Sequence, residues 1–257
     1  MTITDAHAHV GTCDVFGLDQ SPADLLAAMD RYGIRTSLVQ PFPGVWHPSE
    51  VHDQIARMAA DHPGRVYGIA SVPPHGPPQG YLGEIRRCVE DLGFVGVKLH
   101  TIGHAVGPAS PGAEAVVEAA SDLGIPVLIH TGMGIPFADP GVWLPMIQRH
   151  PTVPFVLCHA GGGIVGGAAL AVARTCDNVW LESSAAGSQD LRGMRRAIGA
   201  HRLLYGSDLI GAIPVEMAKC HALELESADE ALVFGEAAVR LFGIGTGAAG
   251  PTAGASH

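Results

Sequence analysis

Lysine is almost missing from this chain of 257 residues. Lys98 and Lys219 are the only two, and the rest of its 15 basic residues are arginines. A lysine set inside an apolar stretch, as Lys98 is, therefore needs a local reason. Cysteine is sparse as well. The five at positions 13, 88, 158, 176 and 220 form no Cys-x-x-Cys pair and are odd in number. That excludes a cysteine-rich metal site or a disulfide framework, and a reduced, cytoplasmic protein is expected. No apolar run reaches the roughly 18 residues that a membrane span needs. The opening residues, Met1 to Asp5, lack the basic and apolar regions of a signal peptide. Basic residues number 15 against 25 acidic ones, a net charge of −10, which argues against nucleic acid or an anionic membrane as the main partner. No Gly-x-Ser-x-Gly elbow is present, so a serine hydrolase is not expected.

What is present is apolar and evenly punctuated. Hydrophobic residues make up 47% and charged residues 16%, which excludes disorder for the bulk of the chain. Short apolar runs bounded by Gly or Pro begin near Ile3, Arg35, Arg65, Val95, Pro126, Pro154, Asn178 and Arg202, at intervals of 24 to 32 residues. Between them, stretches such as Ser21 to Tyr32, Ser49 to His62 and Gly112 to Leu123 repeat apolar residues at helical steps. Ser21-Pro22 reads as a cap followed by proline at the first helical position. Eight strands alternating with helices, without a composition break, predict a single-domain α/β protein closed into a (β/α)8 TIM barrel over residues 1–242. An open doubly wound sheet is the rival. The last helix is expected over Ala228 to Phe242, and residues 243–257 read as a disordered Gly/Ala/Ser tail.

A barrel of this kind carries its active site at the C-terminal ends of the strands, and there the histidines cluster. The first strand ends Asp5-Ala6-His7-Ala8-His9, with His7 and His9 on one side by the two-residue period. The fourth, Val95-Gly96-Val97-Lys98-Leu99-His100, sets Lys98 and His100 on one face. The fifth ends at His130, the sixth at His159, and the eighth runs Leu203-Leu204-Tyr205-Gly206-Ser207-Asp208. Singly, a strand-end His is ordinarily a hydrogen-bonded structural residue, and a strand-end Asp a helix cap. Packed together at one rim, such groups would leave polar atoms unpaired in a low-dielectric cup. A divalent cation removes that difficulty, since imidazole and carboxylate suit zinc and its neighbours.

These segments resemble the amidohydrolase superfamily of metal-dependent barrel enzymes. The resemblance is strongest to the amidohydrolase-related branch that includes aminocarboxymuconate-semialdehyde decarboxylase and its relatives. Asp5-Ala6-His7-Ala8-His9, Gly93 to His100, Pro126 to Gly132, His159-Ala160-Gly161-Gly162 and Tyr205-Gly206-Ser207-Asp208 come in the family's order and span nearly the whole chain. The resemblance implies a (β/α)8 barrel with His7, His9, His130 and Asp208 as metal ligands and His159 beside the metal as acid/base. A bound metal lowers the pKa of its water to about 7 and polarises a carbonyl. Asp208 would take the proton and His159 return one to the leaving group. Lys98 has two readings. Carboxylated, it bridges two metals, with His130 and His159 on the second; protonated, it pairs with Asp208 or a substrate carboxylate. One metal ion, zinc, is the preferred reading, because the mononuclear branch often carries the same Lys-Leu-His segment. The expected activity is hydrolysis of a small amide, lactam or lactone-like substrate. The alternative is non-oxidative decarboxylation or hydration of a small unsaturated or aromatic carboxylate, and a ligand-binding barrel without catalysis is a third reading. The partner is a small molecule, and a homo-oligomer is left open. The chain is short for the decarboxylase group, and Gly235-Glu236-Ala237 replaces the family's usual Asn before Ala.

Other features carry less. Gly161 to Gly166 matches a dinucleotide fingerprint, with Glu182 ending the next strand, but the unit is sixth in the chain and His159 directly precedes it. A tight turn near the substrate is the plainer reading. The second match, Gly245 to Gly250, follows no strand. Glu182 is placed toward the pocket or the barrel interior, contacting substrate or pairing with an arginine. Trp46, His47 and His104 are candidate pocket walls, and Cys158 a small core residue pointing away from His159.

Overall fold

A computed structural model describes residues 1–14, 17–134 and 136–245. Its strands are β1 (Ile3–Cys13), β2 (Leu18–Gln20), β3 (Ile34–Pro41), β4 (Val66–Gly68), β5 (Ala70–Ser71), β6 (Val97–Leu99), β7 (Val127–His130), β8 (Phe155–Cys158), β9 (Val179–Glu182) and β10 (Leu203–Leu204). Parallel pairing runs from β1 to β3 to β4, and from β5 through β10 in chain order. Ile69, the residue between β4 and β5, donates its N–H to Val39 O at 2.8 Å, so β4 and β5 act as one strand. Ala6 N–H reaches Tyr205 O at 2.9 Å and Asp208 N–H reaches His7 O at 2.7 Å, joining the last strand to the first. The result is the expected eight-stranded parallel barrel, and every predicted strand start falls within two residues of an observed one.

Proline and capping residues set the helix starts. The helices are α1 (Pro22–Tyr32), α2 (Pro48–Asp61), α3 (Pro78–Glu90), α4 (Pro111–Leu123), α5 (Pro140–Arg149), α6 (Gly166–Thr175), α7 (Ser188–Ile198), α8 (Ile213–His221), α9 (Ser227–Ala231) and α10 (Ala237–Phe242). Ser21, Ser110 and Asp139 each accept a backbone N–H of the helix they cap, satisfying donors that the helix leaves orphaned.

Two apolar layers follow from strands buried on both faces. One lies between strands and helices. The other fills the barrel with Ala6, Leu38, Ile69, Leu128, Val156 and Leu204, and continues into Ala237, Ala238, Phe242 and Ile244, so α10 plugs the end of the barrel opposite the histidines.

After β1 the chain makes a hairpin, with β2 folding back antiparallel on Gly11 to Cys13. Two local expectations need correction. The last helix is interrupted, because residues Leu232–Glu236 widen into a π turn between α9 and α10. Gly235 there lies so close to β1 that a Cβ would sit 2.6 Å from Thr2 O. The tail expected from Gly243 begins inside the folded body, since Gly243 caps α10 in the left-handed region and Ile244 is buried. Residues 246–257, and with them most of the second glycine match, lie outside the described residues.

Candidate metal centre

Register and backbone strain bring the predicted residues to one point. β1 loses register with β3 between Asp5 and Ala8. There it pairs instead with residues 205–208, which places His7 and His9 beside Asp208. His159 and Asp208 both have positive φ, 65° and 63°. These conformations are costly for side chains with a Cβ and recur at functional sites. His159 opens a run of five left-handed residues through Gly163. The dinucleotide-like glycines are this turn. It packs so closely on Gly132 that a Cβ there would lie 3.0 Å from Gly162.

Each imidazole is anchored by its outer nitrogen. His7 Nδ1–H donates to Glu182 Oε2 at 2.8 Å, and His9 Nδ1–H to Pro41 O at 3.0 Å. His130 Nε2–H donates to Met133 O at 3.2 Å. Ser184 Oγ spends its proton on Glu182 Oε2 and so accepts from His159 Nδ1–H at 2.8 Å. Acceptors at all four outer positions fix the tautomers, and each inner nitrogen presents a lone pair; Gln40 Nε2–H reaches that of His9 at 3.2 Å and Lys98 Nζ that of His7 at 3.1 Å. Those lone pairs face each other. His7 Nε2 and His9 Nε2 are 3.1 Å apart, as are His159 Nε2 and His130 Nδ1. Asp208 Oδ1 stands 3.3 Å from His9 Nε2 and 3.6 Å from His7 Nε2.

A proton does not resolve this arrangement at neutral pH. Burial pushes His7 and His159 well below the usual imidazole range. His130 falls to about 4, first by burial and then by the charge of Lys98. Burial alone would raise Asp208, but the facing imidazoles of His9, His7 and His159 hold its carboxylate well below the ordinary range. Neutral imidazoles with anchored outer nitrogens, opposite an ionised carboxylate, are the donor set of a divalent metal. The residues present fit such an ion. The inward atoms of His7, His159 and Asp208 all lie within 4.8 Å of one another, with His9 and His130 flanking them.

Asp208 is 31% exposed and opens onto a pocket of about 280 Å³ lined by His130, Met133, His159, Gly162 and Ala185. Lys98 lies deeper, 1% exposed. Its Nζ donates to His7 Nε2 at 3.1 Å and Cys158 Sγ at 2.9 Å, and among the described residues no ion pair joins it to Asp208. Cys158 does belong to the inner core, but its thiol meets this amine. His100 stacks on His130 at 4.2 Å. His104 is buried and accepts the His100 N–H, so it packs behind the pocket wall.

Sequence reasoning missed the role of Glu182. It is fully buried and meets neither substrate space nor arginine. Its carboxylate accepts from His7, from the His159 backbone N–H at 3.1 Å, and from Ser184. An acid ending one strand beside strands that end in histidine was the available signal. A second trio, His52, Glu84 and Cys88, is not free to ligate. His52 uses both nitrogens, on Glu84 at 2.7 Å and on the Ser71 N–H at 3.0 Å.

Comparison with known proteins now adds identity to geometry. The amidohydrolase family model matches residues 4–244, and the chain belongs to that family. No curated protein matches the sequence. Among solved structures, 5-carboxyvanillate decarboxylase from Sphingomonas paucimobilis is similar at 17% identity and a TM-score of 0.77, over 95% of this chain and 99% of that one. A dihydroxybenzoic acid decarboxylase from Polaromonas sp., solved with manganese and 2-nitroresorcinol, is 18% identical with a TM-score of 0.74 over 94% and 97%. 4-Oxalomesaconate hydratase from Rhodopseudomonas palustris is 17% identical with a TM-score of 0.66 over 94% and 96%. At these identities the likeness establishes a shared fold. No described helix is long and apolar enough to cross a membrane.

Proposed function

We propose that this protein is a metal-dependent hydrolase of a small amide, lactam or lactone-like molecule. The observation that carries the reading is the set of inward ring nitrogens on four anchored imidazoles facing the Asp208 carboxylate. His7, His9, His130 and Asp208 would hold the ion. When bound, a divalent ion of this kind supplies an activated water and polarises a carbonyl. Asp208, open to the pocket, accepts the proton of the attacking water at Oδ. His159 stands on the pocket wall with Nδ1 fixed by Ser184, which aims Nε2 to carry a proton toward the leaving group. Glu182 keeps His7 and the His159 backbone in place, and the core beneath Lys98 excludes bulk water.

A second reading uses the same residues for non-oxidative decarboxylation of a small carboxylate. It is favoured by the decarboxylases among the solved structures of the same fold, two of them with manganese bound. Metal analysis with product analysis tests both. Purified protein should carry one divalent ion, zinc on this reading, and His7→Ala/His9→Ala should lose it while keeping the native far-UV spectrum, because both side chains sit at the rim. Products of hydrolysis without carbon dioxide favour the first reading, and released carbon dioxide the second. A double variant that retains its full metal content removes the proposed coordination.

A further inference from the structure

The distribution of positive charge around this pocket bears on what can enter it. Among the described residues, the mouth is built by the segments that follow the barrel strands: 14 and 17–21, 42–47, 72–77, 100–110, 131–134 and 136–139, 159–165, 183–187 and 205–212. None of them contains a lysine or an arginine. All 13 arginines stand on helices, at strand starts or on the turns leading into strands, and Lys219 is on α8. Among the described residues Lys98 is the one lysine or arginine near the centre, and it is buried and occupied by His7 and Cys158. The charged side chains the mouth does offer are Asp14, Asp19, Asp139 and Asp208.

Apolar side chains take the place of cations. Trp46, Ile102, Met133, Phe137 and Ile164 are all exposed, all on these segments, and make up most of the large hydrophobics that the described residues leave in solvent. Met133 and Ile164 are 67% and 66% exposed. Exposed apolar groups concentrated at a cavity mouth mark a binding surface. An anionic group placed among them would be desolvated without a partner, in the field of acidic neighbours, and would oppose binding.

We infer that the mouth selects against polyanions. The substrate presents an uncharged, apolar body to the rim and carries at most one carboxylate, directed inward at the metal. This rests on the metal-centre reading above and narrows its substrate class to neutral molecules and monoacids.

Three ring-matched probes test it: benzamide, benzoate and benzene-1,3-dicarboxylate. Manganese-loaded protein of measured metal content is used at pH 8, where ordinary imidazoles are uncharged, and binding is read from paramagnetic relaxation of the probe protons. Benzamide and benzoate are expected to bind, and the dicarboxylate at least about tenfold more weakly. Met133→Arg, which adds a guanidinium at the mouth, should bring the dicarboxylate to within about threefold of benzoate. Two results overturn the inference while leaving the metal centre intact. One is manganese-loaded native protein that binds the dicarboxylate as tightly as benzoate, as it would if a second copy of the chain lent an arginine. The other is loaded protein that relaxes neither benzamide nor benzoate. Protein that takes up no manganese overturns the metal centre, and the inference with it.

Discussion

Glu182 concentrates much of the site's geometry in one carboxylate. It accepts from His7 at 2.8 Å, from the strained His159 backbone at 3.1 Å and from Ser184, which in turn fixes His159. Glu182→Gln preserves size but replaces one acceptor oxygen with a donor, so His7 or Ser184 loses its partner. Partners of this kind, set behind a ligand, typically matter about 10- to 100-fold for metal affinity or activity. Chelator competition should give a metal affinity weakened in that range, with the thermal midpoint little changed; an unaltered affinity would show that His7 needs no anchor. His7, His9, His130, His159 and Asp208 were legible in the sequence because strand period and Gly/Pro punctuation place them at one rim. The role of Glu182 was not. Whether a buried acid meets a histidine depends on the spacing of β9 against β1 and β8, which no local pattern encodes. The Lys98 contacts were hidden for the same reason: Cys158 reads locally as a small apolar residue.

At the scale of elements, the joint between α2 and α3 shows how a buried imidazole is used without chemistry. His52 links α2 to the Ser71 N–H in β5 and to Glu84 on α3, and Arg87 closes the cluster onto Glu84 and Asp53. Burial would raise Glu84, but the hydrogen bonds from Arg87 and His52 outweigh it and hold the carboxyl at about 2, against an ordinary 4.5. A folded-state pKa below the unfolded one stabilises the protein above about pH 4.5, and that contribution drains away as pH falls toward 2. Urea unfolding should therefore find Glu84→Gln less stable than the parent near neutrality, with the gap shrinking steadily below pH 4.5. A gap constant down to pH 2.5 would remove Glu84 from the acid response. Helix starts were predictable because proline and a capping Ser or Asp announce them. The π turn and the β2 hairpin were not, since each answers to a neighbour, Thr2 in one case and the end of β1 in the other.

For the whole molecule, the two ends of the barrel divide the work. Polar, strained residues crowd one mouth, and α10 with Ile244 seals the other against Leu38, Leu128 and Leu204. Phe242 is buried in that plug, and Phe242→Ala should cost about 3–5 kcal/mol in denaturant unfolding with the metal content of the folded protein unchanged. A loss of metal without loss of stability would mean that the two ends are not separable. The barrel order itself was readable from eight evenly spaced apolar runs; the fit of the plug was not, because it depends on which helix face meets the strand starts. The seam of the barrel, where Asp208 donates its N–H to His7 O, has a consequence in time. A ribosome releases His7 and His9 first and Asp208 only after every intervening strand, so a partly made chain exposes two imidazoles with no carboxylate opposite them. The candidate donors come together only with the closing strand, so a centre that binds its ion would report that the barrel has closed, with α8 to α10 still to follow along the chain.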